Sequence, residues 1–123
     1  MTEQLRKARL EYNSFYIAGQ HDVDVPTAMR GEPFAQSPRC INVGCRMWQD
    51  GEVEITLAAS GEIEREDAPA LDTSISTPQK QVLLFDANHP ELLKLAVSTR
   101  RTRIRVWTNH ATEPDRITVI VGD

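Results

Sequence analysis

Arg39-Cys-Ile-Asn-Val-Gly-Cys-Arg-Met-Trp48, Gln49-Asp50-Gly51 and Glu52-Val-Glu-Ile-Thr-Leu-Ala-Ala59 alternate apolar and polar residues on either side of a turn-forming pair. In an extended chain successive side chains point to opposite faces, so Ile41, Val43, Cys45 and Met47 share one face. Val53, Ile55, Leu57 and Ala59 can share the same one. Asp50-Gly51 can adopt the positive φ that closes a hairpin, and the stretch reads as the central hairpin of a half-buried antiparallel sheet.

The same period recurs on both sides. Ala8, Leu10 and Tyr12 keep it, Asn13-Ser14 breaks the count, and Phe15 with Ile17 resumes it, predicting a bulged first strand from Ala8 to Gly19. Residues 1–7 fit a frayed helical turn or a strand. The segments His21–Pro26 and Gly31–Pro38, rich in proline and polar residues, read as a long connection with at best a short extended piece around Val23 and Val25. Gly61–Glu66 either continues the hairpin beyond a kink at Ser60-Gly61 or forms a separate edge segment. Further strands are expected at Asp72–Thr77, Gln79–Phe85, Arg103–Thr108 and Arg116–Val121. Glu91–Val97 fits both periods, and the short distance from Pro90 to Ser98 favours a strand. Together these predict an all-β fold, an antiparallel β-sandwich of about seven or eight short strands.

With 123 residues, 40% of them hydrophobic and 26% charged, the chain suits a single β-sandwich domain spanning 1–123. The longest apolar run, Val82–Phe85, is far shorter than a bilayer span, and the polar start lacks the apolar stretch of a signal peptide, so a cytoplasmic protein is expected. A net charge of −4 disfavours nucleic acid and anionic membranes as partners and suits a basic protein. Cys40 and Cys45 differ by an odd number of positions, which puts them on opposite strand faces about 17 Å apart, so both are expected as thiols, Cys45 within the core.

No cofactor or metal is implied. His21-Asp22-Val23-Asp24 offers imidazole and carboxylates but no second ligand cluster, while His89 and His110 fall in separate turns. Phosphate-loop, nucleophile-elbow and zincin motifs are missing, and the reading is non-enzymatic. Charge patterning carries more. Glu62, Glu64 and Glu66 recur at period two, as do Arg101, Arg103 and Arg105. The two rows could pair across neighbouring strands. Left free and joined by Glu52 and Glu54, the acidic row would space carboxylates about 7 Å apart, close to the phosphates of a nucleic-acid strand, and could enter a nuclease's basic cleft. Trp48 and Trp107 have the opposite parity to the core residues and are expected on outer faces, as contact residues or beneath a second cover.

Leu10-Glu-Tyr-Asn-Ser-Phe-Tyr-Ile17, the central hairpin, Thr102-Arg-Ile-Arg-Val-Trp-Thr108, a polar acidic loop and the closing strand Ile117–Val121 follow one another in an order that resembles the small bacterial competence J family, inhibitors of a DNA-entry nuclease. About half the chain is covered, and no functional residue is carried over. The resemblance implies an inhibitor or immunity-type protein that blocks a nuclease or toxin. The alternative is a small-ligand-binding or structural accessory protein of a phage or secretion system. The partner-binding residues expected are Glu52, Glu54, Glu62, Glu64, Glu66, Trp48 and Trp107.

Overall fold

The structure, a computed structural model, describes residues 3–26, 32–63, 65–111 and 113–122. The strands are β1 Gln4–Ala8, β2 Ser14–Ala18, β3 Phe34–Gln36, β4 Cys40–Gly44, β5 Val53–Ala59, β6 Leu71–Ser76, β7 Gln81–Phe85, β8 Leu93–Ala96, β9 Arg101–Thr108 and β10 Arg116–Val121. They form two five-stranded sheets, β1-β5-β10-β9-β6 and β3-β4-β2-β7-β8. The pairings are antiparallel except β5 with β10, which run parallel. The molecule is a β-sandwich.

The stretch 39–59 is not a hairpin. Its halves lie in opposite sheets: β4 pairs with β2 and β3, whereas β5 pairs with β1 and β10. Residues 45–52 cross between the sheets, with a 3-10 turn at Trp48–Asp50 and Gly51 at φ 133°. Alternation names the face a strand buries but not the sheet it joins, and here Ile41 and Val43 meet Val53, Ile55 and Leu57 across the core. Ala8–Gly19 divides in the same way. The expected bulge is a crossing, where Asn13 at φ 58° donates its N–H to the Leu10 carbonyl at 3.0 Å, and β1 and β2 enter different sheets. The chain start forms β1 rather than a helical turn.

β3 lies inside the segment expected as a connection. Pro33 and Pro38 flank it rather than interrupt it, and it occupies a sheet edge, where proline is tolerated. Glu91–Val97 contains a strand, β8, as its shorter period suggested.

One core fills the space between the sheets. Phe15, Ile17, Ile55, Leu57, Ile75, Leu84, Ile104 and Ile117 are fully buried there. Both lateral openings are closed by side chains. Gln4 donates to the Lys94 carbonyl at 2.6 Å and Arg6 to that of Leu92 at 3.4 Å on one side, and Gln36 donates to the Thr73 hydroxyl on the other.

Each sheet also carries a small second cover. Ala18, Cys40, Leu83 and Phe85 are buried on the outer face of the second sheet, with Tyr16, Val23 and Val25 packed against them. This explains why Val82–Phe85 is continuously apolar: Val82 and Leu84 enter the main core, Leu83 and Phe85 the second cluster. On the first sheet, Ala58, Trp107 and Ile120 are buried with outward parity. Between the end of β5 and the start of β6, residues 65–70 lie across that face. The Ala70 N–H donates to the Val106 carbonyl at 2.8 Å, fixing the far end of this strap.

Candidate partner-binding surface

The register separates the connections into two groups. Those joining β1 to β2, β4 to β5, β7 to β8 and β9 to β10 lie at one end of the sandwich, because β5 and β10 start there while β9 finishes there. Hydrogen bonds bind these loops together. Cys45 N–H donates to the Asn13 carbonyl at 2.8 Å, Arg46 N–H to the Pro114 carbonyl at 2.9 Å, and Arg9 Nη1 to the Trp48 carbonyl at 3.3 Å. Asn88 Nδ2 donates to Glu11 Oε2 at 2.5 Å.

Three of the four large hydrophobic side chains exposed among the described residues sit on this end: Tyr12 at 60%, Met47 at 37% and Trp48 at 47%. The fourth, Leu5, is on the outer face of β1. Tyr12 and Met47 were expected to face the core by strand parity, but both lie in crossings, where period two no longer holds. Trp48 is exposed, as expected, although it belongs to a 3-10 turn rather than a strand.

Two acidic groups follow Trp48 in the same crossing. Asp50 and Glu52 are exposed, and among the described residues neither makes an ion pair. Of the nearby cations, Arg46 pairs with Asp115 at 3.5 Å and Arg116 with Glu54 at 3.8 Å, while the exposed Arg9 donates to the Trp48 carbonyl. A hydrogen bond from Asn109 Nδ2, followed by the charge of Arg46, holds the Asp115 carboxyl below its usual range. Glu54 is thus half-buried on the outer face of β5, while Glu52 stands at the loop end.

Glu62 and Glu66 do not share a strand face. Residues 61–62 turn, and Glu62 Oε1 accepts the Ala59 N–H at 3.0 Å, returning along the chain to satisfy the end of β5. Glu66 is exposed on the strap, and Glu64 lies outside the described residues. Among the described residues, Glu66 makes no ion pair with the β9 arginines. Instead Arg103 grips Asp72 of the adjacent β6 with two nitrogens, at 2.9 and 2.7 Å, and these bonds lower the Asp72 pKa.

Trp107 has the outward parity expected of it, but the strap covers it. Its Nε1 donates to the Asp67 carbonyl at 2.9 Å, and its ring lies 5.4 Å from Arg65 Cζ and 5.8 Å from Arg105 Cζ. Arg65 in turn holds Asp67 through two bonds of 3.0 Å, depressing that carboxyl's pKa. At 5% exposure Trp107 anchors the strap and is closed to a partner in this conformation.

The histidines occupy unrelated places. His21 meets Phe85 edge-on at 5.5 Å, His89 Nδ1 lies 2.8 Å from Asp86 Oδ1, and His110 Nδ1 accepts the Glu113 N–H at 3.0 Å. No group of three or more His, Cys, Asp or Glu side chains able to hold a metal occurs among the described residues. No helix among them is long and apolar enough to cross a membrane.

Cys40 and Cys45 are both free and buried in separate clusters. Burial pushes the Cys40 thiol up to about 12, and burial together with the Asp86 charge does the same for Cys45. Because the thiolate is the reacting species, neither cysteine should label with a disulfide reagent in the native protein at pH 8, and both should label in denaturant. Rapid native labelling would show that one of these clusters opens.

No protein-family model matches the chain, and no curated protein matches it in sequence. Comparison with solved structures does find the fold. ComJ from Bacillus subtilis, inhibitor of the DNA degrading activity of NucA, superposes with a TM-score of 0.62 over 98% of this chain and 95% of its own, at 9% identity. The likeness is one of fold. Crocagin biosynthetic gene J superposes with a TM-score of 0.52 over 99% of this chain and 98% of its own, at 11% identity. The overall fold is therefore similar along nearly the whole of these chains at 9% and 11% identity.

Proposed function

We propose that this protein is a non-catalytic inhibitor that blocks a nuclease or a related toxin by binding it through an acidic surface. The observation that carries the reading is the full-length correspondence of the fold with ComJ. A net charge of −4 supports it, since an enzyme that grips DNA must present cationic groups to the phosphates and so attracts an acidic protein. The fold also serves a biosynthetic gene product, which keeps an accessory role as the second reading.

The two separate in a titration. Increasing amounts of the purified protein are added to DNA digestions by NucA of Bacillus subtilis and by nucleases encoded beside this chain. Loss of cleavage that is complete at a fixed molar ratio with one of them, without binding of the protein to DNA, is the expected result. Undiminished cleavage by every nuclease of the panel at a hundredfold excess overturns the inhibitor reading.

A further inference from the structure

We infer that the docking surface is the loop end bearing Tyr12, Met47 and Trp48, and that it occupies the DNA channel of the nuclease, excluding DNA by competition. This rests on the inhibitor reading. Four observations assign the surface. Three exposed apolar side chains gather on the connections of one end, whereas a fourth stands apart on β1. The loops that carry them are joined to each other and to the neighbouring connections by backbone and side-chain hydrogen bonds, so little ordering remains to be done on binding.

Asp50 and Glu52 follow Trp48 in its crossing without ion pairs among the described residues, while at the same end Arg46 and Arg116 are held by Asp115 and Glu54 and Arg9 donates to the Trp48 carbonyl. The opposite end mixes signs: Arg39 shares a depression with Asp22 and Asp24, and Lys80, Arg100 and Arg101 are exposed. Among the described residues the first end thus combines aromatic anchors with exposed carboxylates, the combination suited to a cationic channel with an apolar floor. In that seat Asp50 and Glu52 take positions that DNA phosphates hold, which makes inhibitor and DNA mutually exclusive. On the strap face Trp107 is enclosed and Glu62 Oε1 accepts a backbone N–H.

The test uses the full chain with the nuclease of the panel that the wild type inhibits. Trp48→Ala and Tyr12→Ala should each raise the inhibition constant about 30-fold or more, as removal of an interface anchor does. Asp50→Lys with Glu52→Lys should slow association and flatten its dependence on salt. Leu5→Ala should change nothing. The apparent inhibition constant of the wild type should rise in proportion to DNA concentration. These side chains are exposed, so the melting temperatures should stay within a few degrees of the wild type. If the wild type inhibits no nuclease, the inhibitor reading itself falls. If it inhibits and Trp48→Ala and Tyr12→Ala inhibit equally well, or Glu66→Lys alone abolishes inhibition, this surface is wrong while that reading stands. Inhibition independent of DNA concentration overturns the channel.

Discussion

Replacing Phe15 with alanine should lower stability by about 3–5 kcal/mol, the range for removing a fully enclosed aromatic ring from a core. Phe15 is 0% exposed, lies in the middle strand of the second sheet and stands opposite Val43 of β4 in the register. Strands on both sides hold β2 in place, so the walls of the vacated space can close only by moving two pairings at once. For a domain of this size the melting temperature should fall by roughly 10–20 °C. Urea unfolding should show the midpoint moving with little change in slope, since the surface exposed on unfolding is nearly the same. A loss below about 1 kcal/mol would mean that β2 does not face the first sheet.

Asp86→Ala comes next in expected size, at about 2–4 kcal/mol, and its cause is polar. The Asp86 side chain is 1% exposed, and its Oδ1 accepts the Asn88 N–H at 3.1 Å, the His89 N–H at 2.6 Å and His89 Nδ1 at 2.8 Å. Truncation leaves donors of the β7–β8 turn unsatisfied in a partly buried place, which costs more than the bonds themselves contribute. Asp86→Asn retains an acceptor at Oδ1 and should lose less than half as much. Burial is the larger cause of the raised Cys45 pKa and the Asp86 charge the second, so removing that charge should increase the slow labelling of Cys45 only modestly at a given pH. Equal stability of the alanine and asparagine variants would show that the turn is held by its backbone alone.

These two residues mark what a linear reading reaches. Phe15 was legible as core because its neighbours alternate, and alternation survives wherever one strand face is buried. The bond network of Asp86 was not, because it forms between residues of one turn with no repeating pattern. The larger error concerned pairing. Val43 and Val53 were correctly placed on buried faces, yet nothing in their spacing tells a hairpin from a crossing between sheets, since both bring the same faces together. Asp50-Gly51 then suggested the wrong choice, because Gly51 does take a positive φ but within a crossing. Trp107 shows a related limit. Its parity was right, and a strap drawn from a distant segment decided that it is enclosed. For the glutamates at 62 and 66, the period-two spacing coincided with no strand. Of the expected contact residues, Trp48 and Glu52 come together on the loop end. Tyr12 and Met47 were hidden by the assumption that strands continued through their crossings.

The parallel pairing of β5 with β10 sets an order of events during synthesis. The second sheet is drawn wholly from residues 14–96, so all its partners have been made before the last two strands emerge. The first sheet is different. β10 is its middle strand, bonded to β5 on one side and β9 on the other, and until residues 116–121 leave the ribosome the pairs β1-β5 and β9-β6 have nothing to join them. During that interval the apolar faces of β5 and β9 flank an open slot with two unpaired edges, the kind of surface on which chains associate wrongly. A ribosome stalled before Arg116 would therefore hold half of a sandwich, and a fusion that delays release of the last strand should reduce soluble yield far more than one attached before β1.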